Sequence, residues 1–270
     1  MGRKMRNAPV YFALAQVRFT AILSLDQYVP AIQESLRRTG FPDYQKTFIP
    51  AINLNVSGLQ GPDVVAAMSP QVRHKFMNGN RTAGFVLDPS FLMFQTTHYE
   101  TFEPFLATFL RGLDVLHRQA EINLSERIGI RYLDAAIPAD GEDVAQYIEP
   151  PFMGLVGLMK KRELVHALSE TRLKNGSYFM TSRVYVYKHL DSNKNFDVAF
   201  PPDLLPDGLQ LMERFRKADG TYAILDNDAS FDDREQFNLS SIEKHYLHLH
   251  DEINHAFNLM VTPHALNTWE

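Results

Sequence analysis

Cysteine is missing altogether from the 270-residue sequence. This excludes disulfides, thiolate metal sites and cysteine nucleophiles, and it leaves the chain indifferent to the redox state of its compartment. An excess of positive charge is missing as well. The formal net charge is −5 and the isoelectric point about 6.1, which argues against whole-surface attraction to nucleic acid or to an anionic membrane. No apolar run approaches the length needed to cross a bilayer. The basic start, Met1-Gly2-Arg3-Lys4-Met5-Arg6, does not lead into a signal-peptide core, because Gln16 and Arg18 interrupt the apolar stretch. Arg6 stands where a myristoylation motif wants Ser or Thr. There is no Gly-x-Ser-x-Gly elbow, no P-loop and no dinucleotide fingerprint. The expectation is a cytoplasmic protein with no membrane attachment and no cofactor.

What is present is ample apolar material. Hydrophobic residues make up 45% of the chain and charged ones 22%, enough for a substantial core in one large domain or two small ones. The cleanest stretch is Glu126 to Asp134. Ile128, Ile130 and Tyr132 fall on one face of an extended strand, with Arg127, Gly129 and Arg131 on the other. Val10 to Thr20 is a second long extended segment, apolar on both faces at its start, as a central strand would be. Asp26 offers an N-cap for a helix through Val29, Ile32 and Leu36 that stops at Gly40.

Phe48 to Val56 then reads as a strand, followed by a loop over 57–70. Val72 to Met77, Ala83 to Leu87 and Phe91 to Thr96 read as a meander with turns at Asn78-Gly79-Asn80 and Asp88-Pro89-Ser90. Phe102, Phe105, Phe109, Leu113 and Leu116 mark a helix within 97–120. Asn175-Gly176 between two extended runs is the strongest hairpin signal in the chain. Leu209 to Phe215 and Tyr222 to Leu225 read as strands turned by Asp219-Gly220. A last helix follows, capped by Ser240 with Glu243 and ended by Thr262-Pro263.

Prolines and glycines between Ala135 and Lys161 suggest a joint, dividing the chain into 1–136, 137–161 and 162–270. Each flanking part has extended segments and then a long helix. The fold class expected is α+β, a mostly antiparallel sheet with long helices packed on one face, in two loosely similar halves.

Four candidate sites stand out. Arg18, Arg127 and Arg131, with Gln16, would form an anion- or nucleic-acid-binding patch if the first strand neighbours the Glu126–Asp134 strand. Gly129 between the two arginines asks for a reason, either a crossing backbone or a ligand. Phe152, Met153, Leu155, Leu158 and Met159 form an apolar, adaptable run suited to a partner protein. His248, Glu252 and His255 share a helix flank that could hold a divalent metal, although a solvated flank of polar pairs explains them better. Asp226-Asn227-Asp228 lacks the glycine and glutamate of a calcium loop, so it reads as a strand end and a turn cap.

Ala8-Pro9-Val10, Gln16-Val17-Arg18-Phe19, Gln95-Thr96-Thr97-His98-Tyr99 and Phe102 open a pattern that runs to the end of the chain. It continues through Glu126 to Tyr132, Pro201-Pro202-Asp203-Leu204, Leu225 to Asp228, Leu249-His250-Asp251, Ala265-Leu266 and Trp269. The whole resembles a sporadically distributed family of uncharacterised bacterial proteins of about this length. The resemblance implies no catalytic residue. Patchy distribution is typical of toxin–antitoxin or phage-defence loci, so the expected function is non-enzymatic binding of another protein encoded nearby. The alternative is a nucleic-acid or nucleotide binder, with metal-assisted hydrolysis at Asp226 and Asp228.

Overall fold

Alternating apolar residues make the two central strands. In the first, β1 (Val10–Phe19), Ala13, Ala15, Val17 and Phe19 enter one buried cluster while Phe12 enters another, so both faces are covered. The computed structural model describes residues 5–53, 67–156, 164–188, 197–204, 208–218 and 220–270. After β1 come α1 (Leu25–Arg38), β2 (Asp43–Asn53), β3 (Ala67–Met77), β4 (Ala83–Asp88), β5 (Phe91–Thr96) and α2 (Phe102–Ala120). Then follow β6 (Leu124–Ala136), β7 (His166–Asn175), β8 (Tyr178–Lys188), β9 (Thr221–Phe231), β10 (Glu235–Gln236), α3 (Leu239–Met260) and α4 (Pro263–Trp269).

The fold is α+β. All ten strands described belong to one antiparallel sheet in the order β2-β3-β4-β5-β1-β6-β9-β8-β7, with β10 paired to β6. The sheet therefore runs unbroken from residues of 1–136 into residues of 162–270, joined at β6 and β9.

Three apolar clusters hold it. Leu25, Val29, Ile32 and Leu36 of α1, Phe109, Leu113 and Leu116 of α2, and Ile242, Tyr246, Leu249 and Ile253 of α3 share the largest with Ile128, Ile130 and Tyr132 of β6. Each such side chain contributes about 1.5–3 kcal/mol on leaving water. The second gathers Tyr147, Ile148 and Met153 with Val184 and Leu225 of the sheet and Ala265 and Trp269 of α4. In the third, Val198, Leu209, Phe215 and Ala218 cover Phe12, Leu133, Tyr185 and Ile224.

Several expectations are corrected. Leu209 to Phe215 is no strand: it is irregular chain ending in a 3-10 turn at Glu213–Phe215. Its apolar spacing marks anchors, Leu209 and Phe215, that drop onto the sheet, while Gln210 bonds through its backbone to Arg81 and Thr97. The strand expected at Tyr222 to Leu225 runs on to Phe231, so Asp226-Asn227-Asp228 lies inside it rather than at a turn. Asn238, not Ser240, caps α3, its Oδ1 accepting from the Ser241 N–H at 3.0 Å. Asp26 sits one residue inside α1 and binds His74 at 3.1 Å and Lys46 at 3.5 Å instead of capping. Within the 137–161 joint, as far as residue 156, Val144, Tyr147, Ile148 and Met153 are core, and Ile148 bridges to Val261. The hairpin falls at Gly176-Ser177, with Gly176 at φ +59°. The 57–66 part of the expected loop, the residues 191–195 and Asp219 lie outside the described residues.

Candidate functional site

Pairing of β1 with β6 sets Arg18 opposite Arg127, Gln16 opposite Gly129 and Leu14 opposite Arg131. The strands are neighbours, as the arginine patch requires, but two of the three guanidiniums are already occupied. Arg131, 7% exposed, grips Asp226 with Nε at 2.7 Å and Nη2 at 2.8 Å, and Asp203 at 2.8 and 3.1 Å. Asp226 is fully buried and also accepts from Arg183 Nη1 at 3.1 Å. Arg183 continues to Glu170 at 2.6 Å, and Glu170 to Arg172 at 2.8 Å. A ribbon of alternating charge thus crosses β6, β9, β8 and β7.

Burial alone would lower the Arg131 pKa, but its bonds to Asp226 and Asp203 outweigh that and raise it. Arg131 in turn holds the Asp203 carboxyl below its usual range, and Arg183 does the same for Glu170. A guanidinium bonded to two carboxylates has little left for an anion.

Arg127 reaches Asp232 at 3.0 Å and Asp228 at 4.0 Å. Its own side chain explains Gly129. A Cβ built at Gly129 would meet Arg127 Nη1 at 2.9 Å, and the three nearest atoms all belong to that guanidinium. Glycine clears the floor on which the guanidinium lies, a reason that the sequence did not offer. Arg18 is exposed and makes no ion pair among the described residues.

The face of β6 that carries Ile128, Ile130 and Tyr132 ends on Asp134, a carboxylate where the alternation calls for an apolar residue. Asp134 lines a pocket of about 160 Å³. Segments distant in sequence meet there: Ala8-Pro9-Val10 entering β1, Tyr99 to Glu103 at the start of α2, and His250, Ile253 and Phe257 of α3. Asp134 is 4% exposed and makes no hydrogen bond or ion pair among the described residues. Desolvation pushes its pKa up to about 8.

Beside it, Tyr99 O–H lies 3.5 Å from the Tyr132 hydroxyl, and Tyr132 lies 3.2 Å from His250 Nδ1. His250 stacks on Phe102 with ring centres 3.9 Å apart. Burial lowers the His250 pKa and raises those of Tyr99 and Tyr132, so near neutral pH all three are uncharged. The arrangement offers one carboxyl group poised between its two protonation states, set among aromatic rings. Sequence reasoning missed it. The only local signal was an acid closing an apolar face.

The other candidates scatter. His248, Glu252 and His255 are exposed, and among the described residues no three His, Asp or Glu side chains converge as metal ligands would. Of the apolar run, Met153 is core, Phe152 is half-buried and Leu155 is 66% exposed; Leu158 and Met159 lie outside the described residues. Exposed apolar side chains instead mark β7, where Leu168 and Leu173 face solvent next to Val165. β7 ends the sheet, and nearly all of its residues are exposed.

No family model, no curated protein and no solved structure matches the chain. No helix among the described residues is long and apolar enough to cross a membrane.

Proposed function

We propose that this is a binding protein rather than an enzyme, and that it engages another protein along the edge of β7, beyond which no strand lies among the described residues. The observation that carries the reading is the edge itself. The two-residue turn makes Asn175 and Tyr178 a hydrogen-bonded pair. Pairs alternate along an antiparallel ladder, so the backbone N–H groups of Leu168, Glu170, Arg172 and Lys174 point away from β8. An extended partner segment would complete them as an added strand. Leu168, Leu173 and Val165 would supply apolar contact, and Leu155 could extend it. The charges of Glu170, Arg172 and Lys174 limit indiscriminate pairing of such an edge.

The same reading takes the partner to be encoded in the same locus, as in toxin–antitoxin or phage-defence pairs, and the protein to act in the cytoplasm. It also takes the long helices as one layer and the chain as two loosely similar halves. The strand order supports this, running outward from β1 through β5, β4, β3 and β2, and from β6 through β9, β8 and β7. The nucleic-acid alternative has less support, because Arg127 and Arg131 are matched by carboxylates and only Arg18 stands clear.

Leu168→Pro tests the edge. Proline removes an outward N–H without touching the β8 ladder. Purified from its host, the wild-type chain should carry a stoichiometric partner that the variant has lost. A partner retained at full occupancy by a folded Leu168→Pro variant overturns the proposal.

A further inference from the structure

The pocket at Asp134 has a chemistry independent of the β7 edge. Its floor is a buried carboxyl group without a donor among the described residues, and its walls include Tyr99, Phe102, Tyr132 and Phe257. Glu100 and Glu103 are exposed residues of its lining, and among the described residues no Lys or Arg lines it. An anion would meet the buried Asp134 carboxyl group, with no donor beside it among the described residues. A purely apolar ligand would leave Asp134 as it is, buried and unbonded. A metal ion would find too few converging ligands among the described residues. A cation that also brings hydrogen-bond donors and an apolar body meets every feature of the space.

We propose that this pocket binds a small primary alkylammonium ion, whose N–H groups donate to the Asp134 carboxylate while its alkyl chain lies against Tyr99, Phe102 and Phe257. The ammonium supplies the opposite charge and the donors that Asp134 lacks among the described residues. His250, held by Tyr132 and stacked on Phe102, is itself uncharged near neutral pH because burial lowers its pKa. The volume of about 160 Å³ suits a chain of a few carbons rather than a polyamine of extended length.

Binding is linked to a proton, because the ammonium takes the ionised form of a carboxyl group that is largely protonated at neutral pH. The other titratable groups at the pocket are Tyr132 of β6, Tyr99, Glu100 and Glu103 at the start of α2, and His250 of α3, on which Asp251 and the chain's α-ammonium also act; Tyr11 of β1 feels the Asp134 charge. The tyrosines stay protonated throughout, since burial raises each of them. With the Asp134 pKa at about 8, the apparent affinity should rise roughly fifty-fold between pH 6 and pH 8.

The experiment titrates the full chain with butylammonium chloride, following saturation-transfer NMR and the melting temperature at constant ionic strength. Butan-1-ol serves as the neutral isostere. The expected result is saturable butylammonium binding that strengthens with pH as stated, no comparable binding of butanol, and loss of at least tenfold in affinity in Asp134→Asn. Equal binding of butanol, or butylammonium binding that is independent of pH, overturns the proposal. So does affinity retained in a folded Asp134→Asn variant. The wild-type pH profile decides the matter even if that variant fails to fold.

Discussion

Arg131 and Asp134 lie three residues apart on β6, are both buried, and face opposite sides of the sheet. On one side the chain has brought Asp226, Asp203 and Arg183 together, so that Arg131 is forked between two carboxylates and the charges alternate across four strands. On the other, Asp134 has been given aromatic rings and, among the described residues, no donor. A buried charge must be paired or must change its protonation state. The first region takes one course and the second the other. Pairing within the fold uses up the chemistry of a charged group, whereas the unpaired group keeps its chemistry available for something that arrives from outside.

The largest expected effect comes from breaking the paired side. Asp226→Ala takes from Arg131 and Arg183 the buried carboxylate they share, leaving them only Asp203 and Glu170, and urea denaturation should show a loss of about 3–5 kcal/mol, typical of a buried pair cut on one side. A loss below 1 kcal/mol would mean that the ribbon is hydrated and that the contrast with Asp134 is false.

Asp134→Asn should do the reverse. The folded pKa of Asp134, about 8, lies above its ordinary value of 3.8. The folded state therefore binds the extra proton between about pH 4 and pH 8, and wild-type stability falls as pH rises through that window. Asparagine removes the titration, so the variant should be more stable than wild type at pH 7 by roughly 2–4 kcal/mol and equal to it near pH 4. Chemical denaturation at the two pH values checks this. A variant less stable at both would show that the carboxylate is paired after all.

The smallest effect belongs to Arg127. It pairs with Asp232 at the half-exposed rim of the sheet, so Arg127→Ala should change stability by no more than about 1 kcal/mol, less at high salt. If the loss instead approaches that of Asp226→Ala, the ribbon extends further along β6 than its hydrogen bonds indicate.

Much of the frame was legible in the sequence, because alternation and helical period depend on neighbours in the chain. β1 and β6 were readable as long central strands, α2 and α3 as amphipathic helices, and Asn175-Gly176 as the turn of a hairpin. The failures share a cause. Leu209 to Phe215 looked like a strand because spacing alone does not say whether a partner strand exists. Asp226-Asn227-Asp228 looked like a turn because nothing local reveals that β9 lies between Arg131 and Arg183. Gly129 seemed to await a visitor, when the neighbour that fills its space is Arg127, two residues away on the same strand. The pocket was out of reach for the same reason: Tyr99, Asp134 and His250 meet only once the sheet and two helices are assembled.

The measurement that bears most directly on the contrast is a titration of the Asp134 side-chain carboxyl carbon by 13C NMR in the full chain, with Asp134→Asn used to assign the resonance. A midpoint near pH 8, lowered by butylammonium, is the predicted result. A midpoint in the ordinary carboxylate range without ligand would mean that Asp134 is already paired like Arg131, and that the two sides of β6 do not differ.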